Sequence, residues 1–131
     1  MQLVKNIQPD FVDDRGEIIK LLDDGKTSIK SILLINSKKG SIRANHYHKE
    51  DAHYVYMYSG KMEYVESPLV NDQPDLSREE KAELVKGDMI YSPPMIAHAM
   101  RFLEDTVWVV MALKSRSQEN YEADTVRVKL I

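Results

Sequence analysis

Three histidines crowd into eight positions of the stretch "NHYHKEDAHYVY", and the chain has only one more, His98. Neutral imidazole is the nitrogen ligand that zinc, iron, nickel and copper share. Strand residues two apart point to one face, so His46 and His48 project side by side if their segment is extended. The polar "KEDA" that follows suits a connection, and His53 then opens an apolar run able to return on a neighbouring strand. His98 comes after the turn-rich "SPPMIA" and is placed to close the set from a further strand. The competing reading of a lone His-x-His pair is a set of core or surface histidines satisfied by hydrogen bonds. There is no cysteine, which excludes thiolate metal sites, disulfides and cysteine nucleophiles.

Strands must position these rings. "GEIIKLL", "IKSILLIN", "SIRANHYH", "HYVYMYS", "KMEYVES", "AELVK", "MIYS", "HAMRFL", "TVWVVMAL" and "DTVRVKL" are short, and most are rich in β-branched or aromatic residues. Turn signals separate them at Asp24-Gly25, Lys39-Gly40, Ser59-Gly60, Gly87-Asp88 and Pro93-Pro94. This pattern predicts an all-β sandwich or closed barrel. In "NDQPDLSREEKAEL", Ser77 and Glu80 have capping-box spacing and predict one helical turn, with a solvated loop as the alternative.

At 131 residues the chain has the size of one domain, and no linker or repeat divides residues 1–131. A net charge of −3 argues against nucleic acid or an anionic membrane surface as the main partner. The opening "MQLVKNIQPDFVDDRGEII" lacks the long apolar core of a secretory leader, and "TVWVVMAL" is too short to cross a bilayer. A cytoplasmic location is the default expectation.

The segment 40–60 reads Gly40-x5-His46-x-His48-x4-His53-x6-Gly60, which resembles the first sequence motif of the cupins. The segment 87–102 reads Gly87-x5-Pro93-x-Met95-x2-His98 and on to Phe102, which resembles the second. His53 replaces the glutamate usual in the first motif, Met95 a usual glycine, and Phe102 a frequent asparagine. The resemblance implies a single-domain double-stranded β-helix, the cupin jelly-roll barrel, with His46, His48, His53 and His98 on the four metal-ligand positions. Imidazole in place of the carboxylate leaves the ligand set uncharged. It also moves preference from hard, oxygen-seeking ions toward one divalent zinc, iron, nickel or copper.

"FVDDRGEI" is similar to the F-x-D-x-R-G element of the dTDP-4-keto-6-deoxysugar 3,5-epimerases and the related 3,4-ketoisomerases. "GSIRANHYH" resembles their G-x-x-R-G-x-H-x strand, with Ala44 in place of a glycine. That likeness implies His46 as catalytic base and Arg15 and Arg43 as substrate-binding arginines. The two resemblances compete, because a ring nitrogen bound to metal cannot also take a proton. Strand alternation leaves it open whether Arg43 faces the barrel interior.

Among other acid–base candidates, Tyr91 is a weak catalytic choice, while Tyr54, Tyr56 and Tyr58 should point away from His53. Met100 and Phe102 share the His98 face and are expected to wall a substrate pocket, with Met57, Met89 and Met111 at apolar strand positions and Trp108 as core. Glu50 and Asp51 are expected in a solvated turn, and the C-terminal strand is a candidate for pairing across a homodimer. The leading expectation is a metal-binding cupin enzyme, an isomerase or epimerase of a sugar or sugar nucleotide in carbohydrate or surface-polysaccharide biosynthesis. The alternatives are an iron-dependent dioxygenase and a non-catalytic, metal-stabilised sugar-binding barrel.

Overall fold

The computed structural model describes residues 1–131. In chain order the first strands are β1 (Gln2–Val4), β2 (Phe11–Asp13), β3 (Gly16–Ile18), β4 (Ser31–Ser37), β5 (Ile42–His48), β6 (His53–Ser59) and β7 (Lys61–Val70). They are followed by β8 (Gln73–Pro74), β9 (Glu80–Val85), β10 (Met89–Ser92), β11 (Ile96–Phe102), β12 (Thr106–Ala112), helix α1 (Gln118–Asp124) and β13 (Thr125–Arg127). One sheet has the order β1-β10-β6-β12-β4. The facing sheet runs β13-β5-β11-β7-β8, with β9 also paired to β7, and β2 and β3 form a separate hairpin. Two curled sheets closing on each other make the jelly-roll architecture, and no helix is long and apolar enough to cross a membrane.

Period-2 alternation builds the core between the sheets. Val55 and Met57 of β6, Met62 and Tyr64 of β7, Ile90 of β10 and Trp108 of β12 all point inward and are buried. Each such side chain contributes roughly 1.5–3 kcal/mol of hydrophobic stabilisation. Met89 and Met111 differ from Met57: they pack with Tyr56 on the outer face of the first sheet.

Each of the ten strand segments read from the sequence contains a strand, although in "GEIIKLL" it covers only Gly16–Ile18 and in "DTVRVKL" only Thr125–Arg127. The very short β1, β2 and β8 were not foreseen, since two or three residues carry no periodicity. The predicted helical turn exists as a 3-10 turn over Leu76–Arg78, but its cap is Asp75, which accepts from Ser77 N at 3.1 Å, not Ser77. Helix α1 was also missed. Ser117 caps it by accepting from Asn120 N at 3.4 Å, and its seven residues show no apolar stripe. The C-terminal strand β13 pairs with β5 of the same chain, Thr125 opposite His48 and Arg127 opposite His46. It is therefore already partnered within the chain.

Strand β5 carries a bulge. His98 of β11 lies opposite His46, yet Ala99 lies opposite Ala44, so Asn45 is the extra residue. Both Ala44 and Asn45 take left-handed conformations, with φ of 67° and 54°. Asn45 is rewarded locally, because its side-chain oxygen accepts the backbone N–H groups of Leu130 and Ile131 at 3.0 and 3.1 Å. Ala44 has no such compensation for the steric clash of Cβ in this region. We expect Ala44→Gly to stabilise the protein by about 0.5–1 kcal/mol. A higher urea midpoint at unchanged slope would show it; a lower midpoint would mean that the Ala44 methyl contributes more by packing than it costs in strain.

Candidate functional site

The bulge and the β5–β11 register decide which side chains meet. Residues directly opposite in an antiparallel pair share a face, so His46 and His98 point together into the barrel, and Arg43 points with Met100. His48 follows His46 by two positions and joins them. His53 arrives from the other sheet, where β6 places it opposite Ser92 and Ala112. Ring centroids are 4.7 Å apart for His46–His48, 4.8 Å for His46–His98 and 5.1 Å for His53–His98. All four rings are buried.

Hydrogen bonds fix where the proton sits on His98, His48 and His53. His98 Nδ1 lies 3.2 Å from the Ile96 carbonyl, which can only accept, so Nδ1 carries the hydrogen and Nε2 is bare. Ser92 Oγ is 3.2 Å from the same nitrogen. His48 Nδ1 faces Thr125 Oγ1 at 3.3 Å and the Asp124 carboxylate at 3.5 Å, which leaves its Nε2 bare, buried and without a partner. His46 Nδ1 lies 3.5 Å from the Tyr121 hydroxyl. His46, His48 and His98 each offer a nitrogen within 4.8 Å of the others. His53 stands outside that group. Its Nδ1 accepts from Arg116 Nη2 at 3.2 Å, and Arg116 is held in turn by Asp51, with Nε donating to Oδ2 at 2.8 Å.

A cavity of about 290 Å³ opens above three of the rings, His46, His53 and His98. Leu33, Ile35, Met100, Trp108 and Val110 form its apolar wall, and Arg43, Arg116, Gln118 and Tyr121 its polar rim. A larger depression of about 500 Å³ lies between the β5–β6 turn and α1, but none of the histidines lines it. Ser37 braces the rim by accepting from both Arg43 Nε at 2.9 Å and Trp108 Nε1 at 3.0 Å.

Of the residues singled out in the sequence, His46, His53, His98, Arg43 and Met100 line this cavity, with His48 behind them. Phe102 does not. It is 1% exposed and packs on Trp108 in the core, one pleat deeper than Met100. Tyr91 lies on the outer face of the first sheet, 4.9 Å from the Tyr54 ring, because its strand turns Ile90 inward instead. Arg15 sits on the β2–β3 turn, paired with Asp13 at 2.6 Å, and lines no part of the cavity. Asp51 is 2% exposed and fully engaged, not solvated, since it accepts from Lys114 N and Arg116 while its own N–H donates to Asp124. Arg116 and Tyr121 were missed because they belong to the polar stretch "RSQENYEAD", which has no strand pattern. Its one legible signal is an aromatic residue isolated among polar ones.

The cupin family's sequence model matches residues 22–129. No curated protein matches the chain by sequence. Among solved structures, a 3,4-ketoisomerase from Helicobacter canadensis superposes with a TM-score of 0.74 at 23% identity, covering 96% of this chain and 89% of that one. A sugar 3,4-ketoisomerase from Thermoanaerobacterium thermosaccharolyticum in complex with TDP gives 0.73 at 21% identity, with 95% and 85% covered. A dTDP-4-dehydrorhamnose 3,5-epimerase from Sulfolobus tokodaii gives 0.68 at 23% identity, with 82% and 67% covered. At such identities the likeness is one of fold.

Burial makes all four rings poor bases. His46 is pushed down to about 2, first by burial and then by the neighbouring His98 and His48, and His98 to about 3 for the same leading reason. His48 and His53 are also lowered by burial, with Arg116 opposing a positive charge on each. An unfolded histidine titrates near 6.5. Below that pH the unfolded chain binds protons that the folded one refuses, so stability is complete above pH 6.5 and falls as pH drops toward the folded values. The slope approaches about 1.4 kcal/mol per pH unit for each histidine. Thermal melts at pH 7.5, 6 and 5 should therefore show Tm falling below pH 6.5, and His53→Gln should shallow the fall. A flat profile across this range would contradict a neutral, buried histidine cluster.

Proposed function

The chain belongs to the cupin family, and from the site it builds we propose that it isomerises or epimerises the keto-sugar of a sugar nucleotide, with one divalent transition metal held by His46, His48 and His98. The observation that carries this reading is the composition of the cavity. Uncharged imidazoles form its floor, while two arginines and a tyrosine on the rim flank an apolar wall. Arg43, which has no carboxylate partner, suits the diphosphate of a nucleotide, and Leu33, Ile35 and Trp108 suit the apolar face of a deoxysugar ring. Proteins of this fold named as 3,4-ketoisomerases and 3,5-epimerases, one of them in complex with TDP, support the same substrate class.

The donor set fits a metal ion. His48 Nε2 is a buried lone pair with no partner, which costs free energy unless something fills the position. Asp124 and the Ile96 carbonyl hold Nδ1–H of His48 and His98, the outer-sphere arrangement that orients ligating histidines. Nitrogen ligands without charge favour zinc, iron(II), nickel or copper. When bound, such an ion would supply Lewis-acid polarisation of the sugar carbonyl.

The chain's own residues then move the proton. The reaction removes a proton from the carbon beside the carbonyl, and the electron pair passes to oxygen as an enediolate. Isomerisation then returns a proton to the former carbonyl carbon while the hydroxyl proton passes to the former carbonyl oxygen, and epimerisation returns it to the opposite face of the same carbon. No atom is gained or lost. Tyr121 is the one tyrosine lining the cavity and is the proton carrier in this reading. A second reading has its own support: the Tyr121 hydroxyl lies 3.5 Å from His46 Nδ1, so metal-free chemistry would use His46 as base and Tyr121 as its acid partner, against the low basicity that burial gives the ring. Arg43 at the rim fits a phosphate-bearing substrate better than the small apolar substrate of an oxygenase.

Ile32 and Leu34 on the edge strand β4, and Val12 and Ile18 on the hairpin, are 60–70% exposed. We assign them to a homodimer interface. Arg15, on the same hairpin, would meet a substrate only across such a contact.

Elemental analysis of untagged protein should find about one transition metal per chain, and none in a His48→Ala, His98→Ala double variant. Incubation with a dTDP-4-keto-6-deoxysugar in deuterated water should incorporate deuterium beside the carbonyl, with the rate falling roughly hundredfold or more in Tyr121→Phe. Deuterium exchange by metal-free protein, abolished in His46→Gln, would select the second reading. Oxygen uptake without exchange would overturn both.

A further inference from the structure

The family resemblance assigns His53 to the metal, but its hydrogen bond assigns it elsewhere. Arg116 Nη2 donates to His53 Nδ1 at 3.2 Å. Guanidinium has five N–H donors and no acceptor, so His53 Nδ1 must be the bare nitrogen of the ring. A neutral imidazole has one hydrogen, which therefore sits on Nε2. A nitrogen bearing hydrogen has no lone pair to give a metal. The same logic places the hydrogen of His48 and of His98 on Nδ1, the opposite tautomer, because their Nδ1 partners include the Asp124 carboxylate and the Ile96 carbonyl. The cluster thus separates into rings presenting a lone pair and one ring presenting an N–H.

Arg116 is not free to turn away. Its Nε donates to Asp51 Oδ2 at 2.8 Å, its side chain is 14% exposed and that of Asp51 3%, and its guanidinium carbon lies 5.6 Å from the Tyr121 ring centroid. Asp51 is fixed from behind by the backbone N–H of Lys114 at 3.0 Å. Breaking this buried pair would strand a charge, so its orientation is strongly held. His53 itself lines the cavity, and its ring centroid is 5.1 Å from that of His98.

We propose that His53 is a hydrogen-bond donor to an oxygen of the bound substrate, not a metal ligand, and that Arg116 and Asp51 are positioning residues that hold its hydrogen on Nε2. The substrate half of this inference rests on the keto-sugar reading, in which the oxygen is the carbonyl that becomes the enediolate. A neutral imidazole N–H suits that task, because it strengthens its bond as charge develops on oxygen and surrenders no proton in doing so. The tautomer half stands on the hydrogen bonds alone. Imidazole here in place of a carboxylate ligand therefore changes the residue's work, from holding an ion to stabilising the charge formed beside it.

The test is long-range proton–nitrogen correlation NMR on the full chain with 15N-labelled histidine, treated with chelator and then loaded with zinc. The expected spectrum of the metal-free protein shows His53 with hydrogen on Nε2 and His48 and His98 with hydrogen on Nδ1. Arg116→Lys, which keeps a charged donor against Asp51, should retain the His53 pattern, whereas Arg116→Gln should shift its tautomer ratio. Zinc stoichiometry should survive His53→Gln and be lost in His48→Gln. With substrate, His53→Ala should slow deuterium exchange by roughly 10²-fold, the usual loss on removing one such donor. Hydrogen on Nδ1 of His53 in the metal-free chain, or zinc lost equally from His53→Gln and His48→Gln, would overturn the inference. If wild-type protein takes up no zinc, the metal reading fails by itself and the His53 spectrum still decides this one.

Discussion

The register of β5 against β11, with its one-residue bulge at Asn45, is the constraint on which the site depends. An antiparallel ladder without a bulge would put Arg43 and His46 on opposite faces, because three residues separate them. The extra residue restores a shared face and lets an arginine and the histidines open into one cavity. The cost is concentrated at Ala44 and Asn45, two non-glycine residues held at positive φ. It is offset in part by Asn45, whose side chain clamps the backbone after β13 and so seats the strand that covers His48. Backbone strain, sheet pairing and site geometry are here one feature.

Burial of four imidazoles next to one another has a single electrostatic solution, in which all are neutral. Neutrality is what makes them useful. A cationic cluster would repel a metal and could not accept the guanidinium of Arg116. For His48, His98 and His53 the outer nitrogen is then assigned by a partner of fixed character: a carboxylate or a carbonyl that only accepts, or a guanidinium that only donates. The partners come from different elements, Ile96 from β11, Arg116 from the segment before α1 and Asp124 from α1 itself, and together they sort chemically identical side chains into different roles.

The fold itself hosts many chemistries, so shared architecture with ketoisomerases and epimerases sets the frame and the side chains set the function. What this chain adds within that frame is an uncharged histidine cluster, a buried Asp51–Arg116 pair behind it and a single cavity tyrosine supplied by α1. The apolar wall from Leu33, Ile35 and Trp108 keeps water away from one side of the cavity, which strengthens every polar interaction on the other.

The all-β class was legible in the sequence because alternation and turn residues are local signals, and each of the ten segments read that way contains a strand. The four histidines were legible because the spacing of His46 and His48 along one strand predicts a shared face, and His53 and His98 lie on further strands that converge on it once the sheets pair. Only the tertiary structure decided the rest. Arg43 turns inward through a bulge that no alternation pattern announces, while Phe102, which shares the His98 alternation, ends in the core one pleat away from the cavity. Tyr91 points outward and Arg15 stays on an exposed turn. Arg116 reaches His53 across a separation of 63 residues, and Tyr121 reaches His46 across 75. A side chain's type and face are written locally in the chain, but the group that sets its proton is chosen by packing between segments distant in sequence.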